Sequence, residues 1–594
     1  MKLPALFATM LLLSLTVVVH GQHEEAIKWL DKNALEIKTV QAENGLKDLM
    51  PLKNILKDKR IVALGEATHG TKEFFQMKHR MLEFLVKEMG FRFFAIEANL
   101  TEAYVVNEYV LYGKGDPQKA LDGLYFWTWN TKEVMAMIEW MREYNKGKTD
   151  KDKVRFYGFD MQAQPVAIAE FNKYLTRVDS GYASQIKDVV TRIKGLEDIP
   201  GNKQATACAG EVRKIFTHMA ENKQKYIATT STREYEMEKH NLVIVSQYIA
   251  MISKTDTAAM CQVRDSCMSE NVKWLMNLEG DSSKFVLWAH NGHIAKDYVT
   301  SDGLTMGYFL RKYYMDNYYA LGFDFYQGSF QSIGTKVGLT EFHCTLKQNS
   351  TGYIFAQSKP DIFFIDLAIA EKNQGMKKLL TDTIPSIFIG ALFSDDNQEQ
   401  NYVKRPLADM YDGLIFIRTT HRAEPNHGLE NQAVVDFGNL MSRINAKPYA
   451  GKQFRFSAFV KMGSDTTNGQ GQLWCRVDRE DKSTGFFDNM GDRPIKSLEW
   501  QYFEITGTVD KDAAMLYFGC LLSGKGELYV DDISLQYKDE GQWLPITIPD
   551  PTFESFAGNV KPEGWMLYDK KCQILVTSQA SHNGNKCVHF KKEN

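Results

Sequence analysis

The chain has 594 residues, too many for one ordinary domain, and this length favours about two or three domains. Apolar residues make up 44% of the chain and aromatic residues 12%, as in a globular protein with large cores. The net charge is −3, from 71 basic and 74 acidic residues without a long run of one sign, so no nucleic-acid partner is expected.

The N-terminus is typical of a secretory signal peptide. Lys2 precedes an apolar stretch from about Leu3 to Val19, and small residues follow around Gly21. We therefore predict a signal peptide at residues 1–21 and an exported protein, periplasmic or secreted. Since no other stretch is apolar over the length of a membrane span, no integral membrane segment is expected after cleavage.

The first candidate site follows the apolar run Ile61–Leu64, which predicts a short strand buried on both faces. Glu66 and His69 come next on a turn, and Thr68 or Thr71 could cap the long amphipathic helix that follows. A carboxylate and an imidazole at the carboxyl end of a buried strand lie where open α/β sheets bind their ligands.

The helix after this turn carries one charged residue on its apolar side. At about 100° per residue, one sector holds the apolar residues Phe74, Met77, Met81, Leu82, Leu85 and Met89. The opposite side holds Gln76, His79, Arg80, Glu83 and Lys87. Lys78 falls within the apolar sector, so it either extends its stem to the surface or places its charge in a polar site beside Glu66 and His69. We favour the polar site.

Two further predicted strands, Phe91–Glu97 and Val154–Asp160, also end in acids and alternate with helical stretches. This alternation is typical of βαβ units and a mainly parallel sheet. Because the carboxyl ends of parallel strands meet at one edge, we expect Glu66, Glu97 and Asp160 to gather there. Acids at strand ends are also common helix caps, so each could instead be structural.

Residues 165–280 are predicted to be mostly helical and to form an insertion in the α/β domain. One apolar sector within this insertion holds Cys261, Met268, Val272, Leu275 and Met276. Arg264 and Asp265 fall on its two flanks. Buried charges need partners, so these two residues form either a structural ion pair or part of the site.

The second half of the site is predicted at a later strand, Lys284–His290. It ends at an Asn291-Gly292 turn, and His293 follows immediately. Two histidines around a strand-loop junction favour function over core packing. Other strands are expected at Tyr318–Phe325, Phe363–Leu367 and Gly413–Ile417.

After about Glu424 the helical pattern gives way to short strands separated by Gly, Asp and Asn turns. We therefore predict an α/β domain over residues 22–425 and an all-β sandwich of jelly-roll type over residues 426–594. Its strands are expected at Phe454–Val460, Gln472–Val477, Trp500–Val509, Met515–Leu522 and Glu527–Leu535.

Two mechanisms fit the candidate residues. In the first, His69 takes a proton from water while a carboxylate orients its ring. An oxyanion would then be stabilised by donors among Lys78, Arg264, His290 and His293. In the second, His and Glu side chains hold a divalent metal whose bound water attacks. The sequence contains no G-x-S-x-G elbow and no GxxxxGK[ST] loop, which argues against a serine esterase and a nucleotide hydrolase.

Six motifs, taken in order, resemble the erythromycin esterase family: GEATHGTKEFF, FAIEAN, YFWTWNTKEV, FYGFDMQ, RDSCMSEN and LWAHNGHIAK. The similarity covers roughly residues 40–425, and the combination of motifs is specific. It implies an α/β domain with a helical insertion. The better-studied members of this family hydrolyse the lactone of macrolide antibiotics through a histidine-activated water, without a covalent acyl-enzyme.

By position, the resemblance makes His69 the general base and Glu66 its partner. Lys78 stands where resistance esterases have Arg, which keeps the charge but loses the bidentate fork. We assign as catalytic His69, Glu66, Glu97, His290 and His293. We assign as substrate-binding Lys78, Arg264, Asp265 and Asp160. No metal ligand and no cofactor is assigned.

The later motifs PYAGKQFRFSAFVK, FFDNM and ELYVDDISL resemble a galactose-binding-like or carbohydrate-binding jelly roll. The tail from Pro551 resembles the opening strands of such a module. Since about 45 residues cannot close a jelly roll alone, the tail either completes the preceding sandwich or belongs to a second one. Exposed tryptophans could stack on sugar, although core packing is the other role open to Trp474, Trp500, Trp543 and Trp565.

The sequence thus predicts an exported hydrolase that uses a His/Glu-activated water on a small-molecule ester or lactone, macrolide-like or an acylated glycan. Two alternatives remain open at this point. One is a metal-dependent hydrolase on the same site, and the other is a glycan-binding surface protein whose α/β domain is catalytically idle. The sequence indicates neither the substrate nor the oligomeric state.

Overall fold

A computed structural model describes residues 23–196, 201–297, 303–334, 338–393, 395–426, 437–463, 469–480, 484–556, 562, 564–568 and 572–592. The predicted signal peptide at residues 1–21 lies outside these ranges. The chain forms two compact units that divide at residues 431 and 432. The sequence placed this division at residues 425 and 426. In the described part of the chain, no helix is long and apolar enough to cross a membrane.

The first unit is built on a mixed sheet that has 10 strands in the described residues. The strands of this unit are β1 (Leu35–Glu36), β2 (Ile61–Leu64), β3 (Phe93–Asn99), β4 (Arg155–Asp160), β5 (Phe285–Trp288), β6 (Tyr318–Gly334), β7 (Gly338–Thr345), β8 (Ile362–Asp366), β9 (Pro385–Ile387), β10 (Leu392–Phe393), β11 (Tyr402–Lys404) and β12 (Gly413–Thr420). The order in the large sheet is β1-β8-β12-β6-β2-β5-β3-β4, with β7 and β10 paired to β6, while β9 and β11 pair separately.

The central strands of this sheet are parallel. β12, β6, β2, β5, β3 and β4 each run parallel to their neighbours in that order. The edge pairs β12 with β8 and β8 with β1 are antiparallel. The predicted mainly parallel α/β sheet is confirmed, and all four residues of β2 are buried, as the apolar run indicated.

Helices cover the sheet and form the predicted insertion. The longer helices outside the insertion are Glu24–Asn33, Lys72–Met89, Ala103–Tyr112, Pro117–Asp122, Lys132–Asn145, Met306–Tyr314 and Gln374–Thr381. Between β4 and β5 the chain forms the helices Pro165–Val178, Ser180–Gln185, Lys187–Lys194, Lys203–Glu221, Lys223–Thr229, Thr232–Ile252 and Thr257–Glu279. The helical insertion over residues 165–280 is therefore confirmed.

The helix Lys72–Met89 is not amphipathic in the way its sequence indicated. On the side expected to face solvent, His79, Arg80 and Glu83 are all buried. The reason is that residues 39–48 cover this side: Arg80 donates to the Asp48 carboxylate at 2.5 Å and to the carbonyl oxygens of the covering segment. Thr71 occupies the N-cap position but makes no capping hydrogen bond, because its hydroxyl bonds to that of Thr68 at 2.5 Å.

The second unit is a sandwich of two antiparallel sheets, which confirms the predicted β-sandwich. Its strands are β13 (Phe437–Asn445), β14 (Gln453–Met462), β15 (Gln470–Arg479), β16 (Thr484–Asp488), β17 (Gln501–Thr508), β18 (Ala513–Ser523), β19 (Gly526–Asp539), β20 (Gln542–Pro545), β21 (Met566–Tyr568), β22 (Gln573–Thr577) and β23 (Cys587–Lys592). One sheet has the order β16-β15-β18-β13-β21, and the other has β17-β14-β19-β23-β22 with β20 on β19.

The C-terminal tail completes this sandwich. β21 pairs with β13 in the first sheet, and β23 pairs with β19 in the second. Trp565 of the tail is only 6% exposed and packs against Phe518 and Phe553, so it is a core residue and not an exposed ring. Trp474, Trp500 and Trp543 are partly exposed.

Candidate active site

Four adjacent strands bring the predicted site residues together. In the central sheet β2, β5, β3 and β4 lie side by side and parallel. Glu66 and His69 follow β2, His290 follows β5, Glu97 lies in β3, and Asp160 ends β4. The acids gather at one edge of the sheet, as the strand ends indicated. The pairing of β3 with β5 ends at Ile96, the residue before Glu97.

Glu66 is fully buried and holds His69 from behind. Its Oε1 lies 2.7 Å from His69 Nδ1. Its Oε2 accepts two further hydrogen bonds, from Lys78 Nζ at 2.5 Å and from Trp288 Nε1 at 2.8 Å. The side chain of His69 keeps 12% of its surface exposed. Because a carboxylate can only accept, the neutral imidazole carries its proton on Nδ1 and presents a lone pair at Nε2.

Lys78 lies in a polar site beside Glu66, as we favoured from its position on the helix. Its side chain has no exposed surface, and Nζ lies 4.4 Å from the centre of the Trp288 ring. Burial lowers the pKa of Lys78 to about 8, although the Glu66 carboxylate opposes that shift. Lys78 donates to the Glu66 oxygen that does not contact His69. It is not among the side chains that line the cleft described below.

His290 faces His69 with the opposite hydrogen-bonding character. It is the N-cap of the short helix Asn291–Ile294, which replaces the expected Asn-Gly turn, and its Nδ1 accepts the Gly292 N–H at 3.2 Å. Burial, reinforced by neighbouring positive charges, holds the pKa of His290 well below its usual value. Since Nδ1 accepts, the neutral ring carries its proton on Nε2, which is buried and has no partner in the described residues.

The two rings lie close together, with their centroids 4.9 Å apart. The Nε2 atoms of the two rings differ because their Nδ1 atoms have different partners. The Nδ1 of His69 bonds to a carboxylate, and the Nδ1 of His290 accepts a backbone N–H. One ring therefore offers a proton acceptor, and the other offers a hydrogen-bond donor. A water placed beside this pair would meet a proton acceptor, and a carbonyl oxygen there would meet a hydrogen-bond donor.

Arg264 is held by carboxylates on several sides. Its Nη2 donates to Glu97 Oε1 and to Asp160 Oδ2, each at 2.7 Å, and its Nε also contacts both oxygens of Asp160. Arg264 therefore forms buried ion pairs, with Glu97 and Asp160 as its partners instead of Asp265, and it also lines the cleft.

His293 belongs to the same charged cluster. Its Nδ1 lies 2.9 Å from Asp265 Oδ1, and its Nε2 lies 3.3 Å from Glu97 Oε1. Burial lowers the pKa of His293, but the carboxylates of Asp265 and Glu97 raise it more, to about 10. Burial raises the pKa of Glu97, and the charges of His293 and Arg264 outweigh this and hold it well below its usual range.

A cleft of about 320 Å³ opens at this edge of the sheet. It is lined by His69, Glu97, Phe126, Thr128, Trp129, Gln162, Arg264, His290, His293, Gly390 and Ala391. Five of the nine predicted site residues thus reach the cleft, and Glu66, Lys78, Asp160 and Asp265 lie behind them. Sequence reasoning missed Trp288, Gln162 and the wall at Phe126–Trp129; the position of Trp288, two residues before His290, was the available signal.

Positive and negative side chains in this site are already matched to each other. In the described part of the chain, no group of three or more His, Cys, Asp or Glu side chains is arranged to hold a metal ion. The Glu66 carboxylate contacts His69 and Lys78. The Glu97 carboxylate contacts Arg264 and His293, and the Asp160 carboxylate contacts Arg264.

Comparison with known proteins identifies the class of this chain as a family of hydrolases. The chain belongs to the erythromycin esterase family, whose sequence profile matches residues 86–420, more than half of the chain. Membership makes it an ester-bond hydrolase with a small-molecule substrate.

Two curated relatives match much of their own length. The chain is 25% identical over 360 residues to erythromycin esterase type II from Escherichia coli, which covers 55% of this chain and 84% of that protein. It is 24% identical over 447 residues to YbfO of Bacillus subtilis, named as a hydrolase, covering 70% of this chain and 96% of that protein.

Solved structures show the same fold. A Bacillus cereus protein matches with a TM-score of 0.61 and 29% identity, over 68% of this chain and 99% of that one. A mutant of the erythromycin esterase EreC in its open conformation matches with a TM-score of 0.52 and 14% identity, over 66% of this chain and 98% of that one. The second likeness concerns the fold alone.

Proposed function

We propose that this protein hydrolyses an ester or lactone by direct attack of a water molecule that His69 activates. The observation that carries the proposal is the pair of facing imidazoles, His69 and His290, whose centroids lie 4.9 Å apart and whose outer nitrogens have opposite hydrogen-bonding character. No serine or cysteine side chain lines the cleft in the described residues, which supports water as the nucleophile.

In the first step, His69 Nε2 takes a proton from water as the water oxygen bonds to the carbonyl carbon. The carbonyl π electrons move to its oxygen and form a tetrahedral oxyanion. Glu66 stabilises the imidazolium that results, because its carboxylate accepts a hydrogen bond from the Nδ1–H of His69, with Nδ1 and Oε1 2.7 Å apart. In the second step, the carbon-oxygen bond of the ester breaks, and His69 returns its proton to the leaving alcohol.

The oxyanion would be stabilised by His290. The cations that the sequence offered for this role are already engaged, since Lys78 bonds to Glu66, and Arg264 bonds to Glu97 and Asp160. Among the described residues the Nε2–H of His290 has no hydrogen-bond partner, so a bound substrate would supply one. A donor aimed at charge that develops during the reaction lowers the barrier more than one that is already satisfied.

The proposal is tested by exchanging the two histidines separately. The variant His69→Ala should lose about 10²-fold or more in kcat with little change in melting temperature, because His69 lies on a partly exposed turn. The variant His290→Ala should also lose about 10²-fold in kcat. Ester turnover that survives in His69→Ala would contradict the assignment. Loss of wild-type activity with a chelator, restored by a divalent metal, would favour the metal-dependent alternative.

The substrate and the location of the protein are also part of the proposal. We place it outside the cytoplasm, on the strength of the signal-like sequence at residues 1–21. Macrolide-like lactones and acylated glycans are the two candidate substrate classes, and the β-sandwich is a candidate glycan-binding module. A panel of both classes, assayed with the wild-type and His69→Ala proteins, decides between them, and a panel without any turnover would favour the glycan-binding alternative.

A further inference from the structure

One wall of the cleft is built by the short segment between the helices Pro117–Asp122 and Lys132–Asn145. Phe126, Thr128 and Trp129 of this segment line the cleft. Trp129 anchors it, because its indole N–H donates to the Glu97 carbonyl oxygen at 3.1 Å and its ring lies edge-on to His69, with centroids 6.4 Å apart. The wall is therefore fixed to the same residues that form the site.

Tyr125 stands at the start of this wall in an unusual conformation. Its φ is +61°, in the left-handed region that residues other than Gly, Asn and Asp rarely adopt. Its side chain is 72% exposed, although large aromatic rings are mostly covered in folded proteins. The backbone is held in place by a hydrogen bond from the Tyr125 N–H to the Asp122 carbonyl oxygen at 3.1 Å. Neither the conformation nor the exposure stabilises the free protein, which points to a contact made with a ligand.

We infer that Tyr125 and Phe126 form a subsite that binds a flat, apolar ring of the substrate. The inference rests on the proposed function, in which the scissile ester lies between His69 and His290. Phe126 lines the same cleft as these histidines. Tyr125 directly precedes it in the chain and is exposed, so a substrate group that extends from the ester past Phe126 can reach the Tyr125 ring at the mouth of the cleft. Aromatic side chains bind flat rings by stacking, with a preference over small alkyl groups.

The subsite is tested by two esters that share an acetyl group, 2-naphthyl acetate and ethyl acetate. The variant Tyr125→Asn removes the ring but keeps a residue that tolerates the left-handed backbone. We expect kcat/KM for 2-naphthyl acetate to fall about tenfold, mainly through KM, as for the loss of one aromatic contact. The value for ethyl acetate should stay within about twofold. Tyr313→Asn is the matched control, because Tyr313 is 61% exposed and belongs to the helix Met306–Tyr314, not to the segment that builds the wall of the cleft.

Ethyl 2-naphthoate extends the test to the acyl side of the ester. A selective loss with this ester in Tyr125→Asn also supports the subsite and assigns the acyl group to it. Equal losses with all three esters, or no loss with any of them, would overturn the inference.

Binding separates this inference from the proposed reaction. Calorimetric titration of 2-naphthyl acetate into the full-length His69→Ala protein should give a Kd about tenfold lower than in the double variant that also carries Tyr125→Asn. If the wild-type protein hydrolyses none of the esters and this difference in Kd remains, the subsite stands and the reaction is wrong. Equal Kd values would overturn the subsite, whatever the activity.

Discussion

Trp288 is one of the three groups that hold the Glu66 carboxylate, with His69 and Lys78, and it shows how much a residue outside the cleft can contribute. Its indole N–H lies 2.8 Å from Glu66 Oε2, and its ring packs against Phe75 and below the Lys78 ammonium. The ring thus fixes both the carboxylate that orients His69 and the cation that offsets its charge. Residues of this kind position a base without touching substrate.

The variant Trp288→Phe should keep the packing of the ring and lose only the N–H. We expect kcat to fall about tenfold or more and the protein to lose about 1–3 kcal/mol of stability, because a buried carboxylate loses a donor. KM should change little. Trp140→Phe, which removes an indole that packs against His79 and Tyr144, is the control. An unchanged kcat in Trp288→Phe would leave Trp288 with a packing role only.

Lys78 predicts a pH limit for the reaction. Its pKa is lowered to about 8, so the ammonium that supports Glu66 is lost as the pH rises through that value. Activity should therefore decline above about pH 8. The variant Lys78→Arg should keep the charge and extend activity to higher pH, because a guanidinium stays protonated. The measurement is the ratio of kcat/KM at pH 9 to that at pH 7 in each protein. Equal ratios in both proteins would contradict this role for Lys78.

At the scale of elements, the turn that carries His69 is held by two distant segments. The Gly70 carbonyl oxygen accepts the N–H of Gln331, in β6, and the N–H of Ala423, each at 2.9 Å. Ala423 belongs to residues 421–426, which follow β12 and which we call the closing segment. The His421 carbonyl oxygen of this segment accepts the Lys72 N–H at the start of the helix. The Asn426 N–H donates to the carbonyl oxygen of Asn130, the residue after Trp129.

A side chain cannot be accommodated at Gly70. A Cβ there would lie 2.1 Å from the backbone oxygen of Gln331, which cannot move without disturbing β6. The variant Gly70→Ala should therefore displace the His69 turn, lower kcat at least about tenfold and lower the melting temperature. Gly123→Ala is the matched control, because the added Cβ would meet nothing closer than 3.4 Å. Full activity in Gly70→Ala would show that the turn tolerates displacement.

Much of the sheet and part of the site could be predicted from sequence, for separable reasons. Ile61–Leu64 and the strand before His290 are short apolar runs whose meaning is local, so Glu66, His69, His290 and His293 could be recognised at their ends. The burial of His79, Arg80 and Glu83 on the helix Lys72–Met89 could not be predicted, because residues 39–48 cover that side through tertiary contacts. The engagement of Arg264 by Glu97 and Asp160 likewise depends on how the insertion helix meets two strands, which no local pattern encodes.

At the scale of the molecule, each unit has its own core. One cluster of buried apolar residues extends from Ala26 to Phe416, and a separate cluster extends from Leu440 to Phe590. A shortened chain that ends at residue 431 should therefore fold and keep its kcat/KM for a simple ester. A chain that ends at residue 420 keeps all of β12 but lacks the closing segment, and it should lose this activity. Equal activity of the two shortened chains would show that the closing segment is dispensable.

If activity needs the closing segment, the order of synthesis has a consequence. Lys72, next to the His69 turn, and Glu424, in the closing segment, form an ion pair across 352 residues of chain. A ribosome makes His69 early and the closing segment much later, and domains acquire their tertiary contacts only as the chain emerges. The newborn chain therefore carries His69 for most of its synthesis without the contacts of the closing segment. We expect hydrolysis to begin only after residues 421–426 have been made and have folded onto the His69 turn.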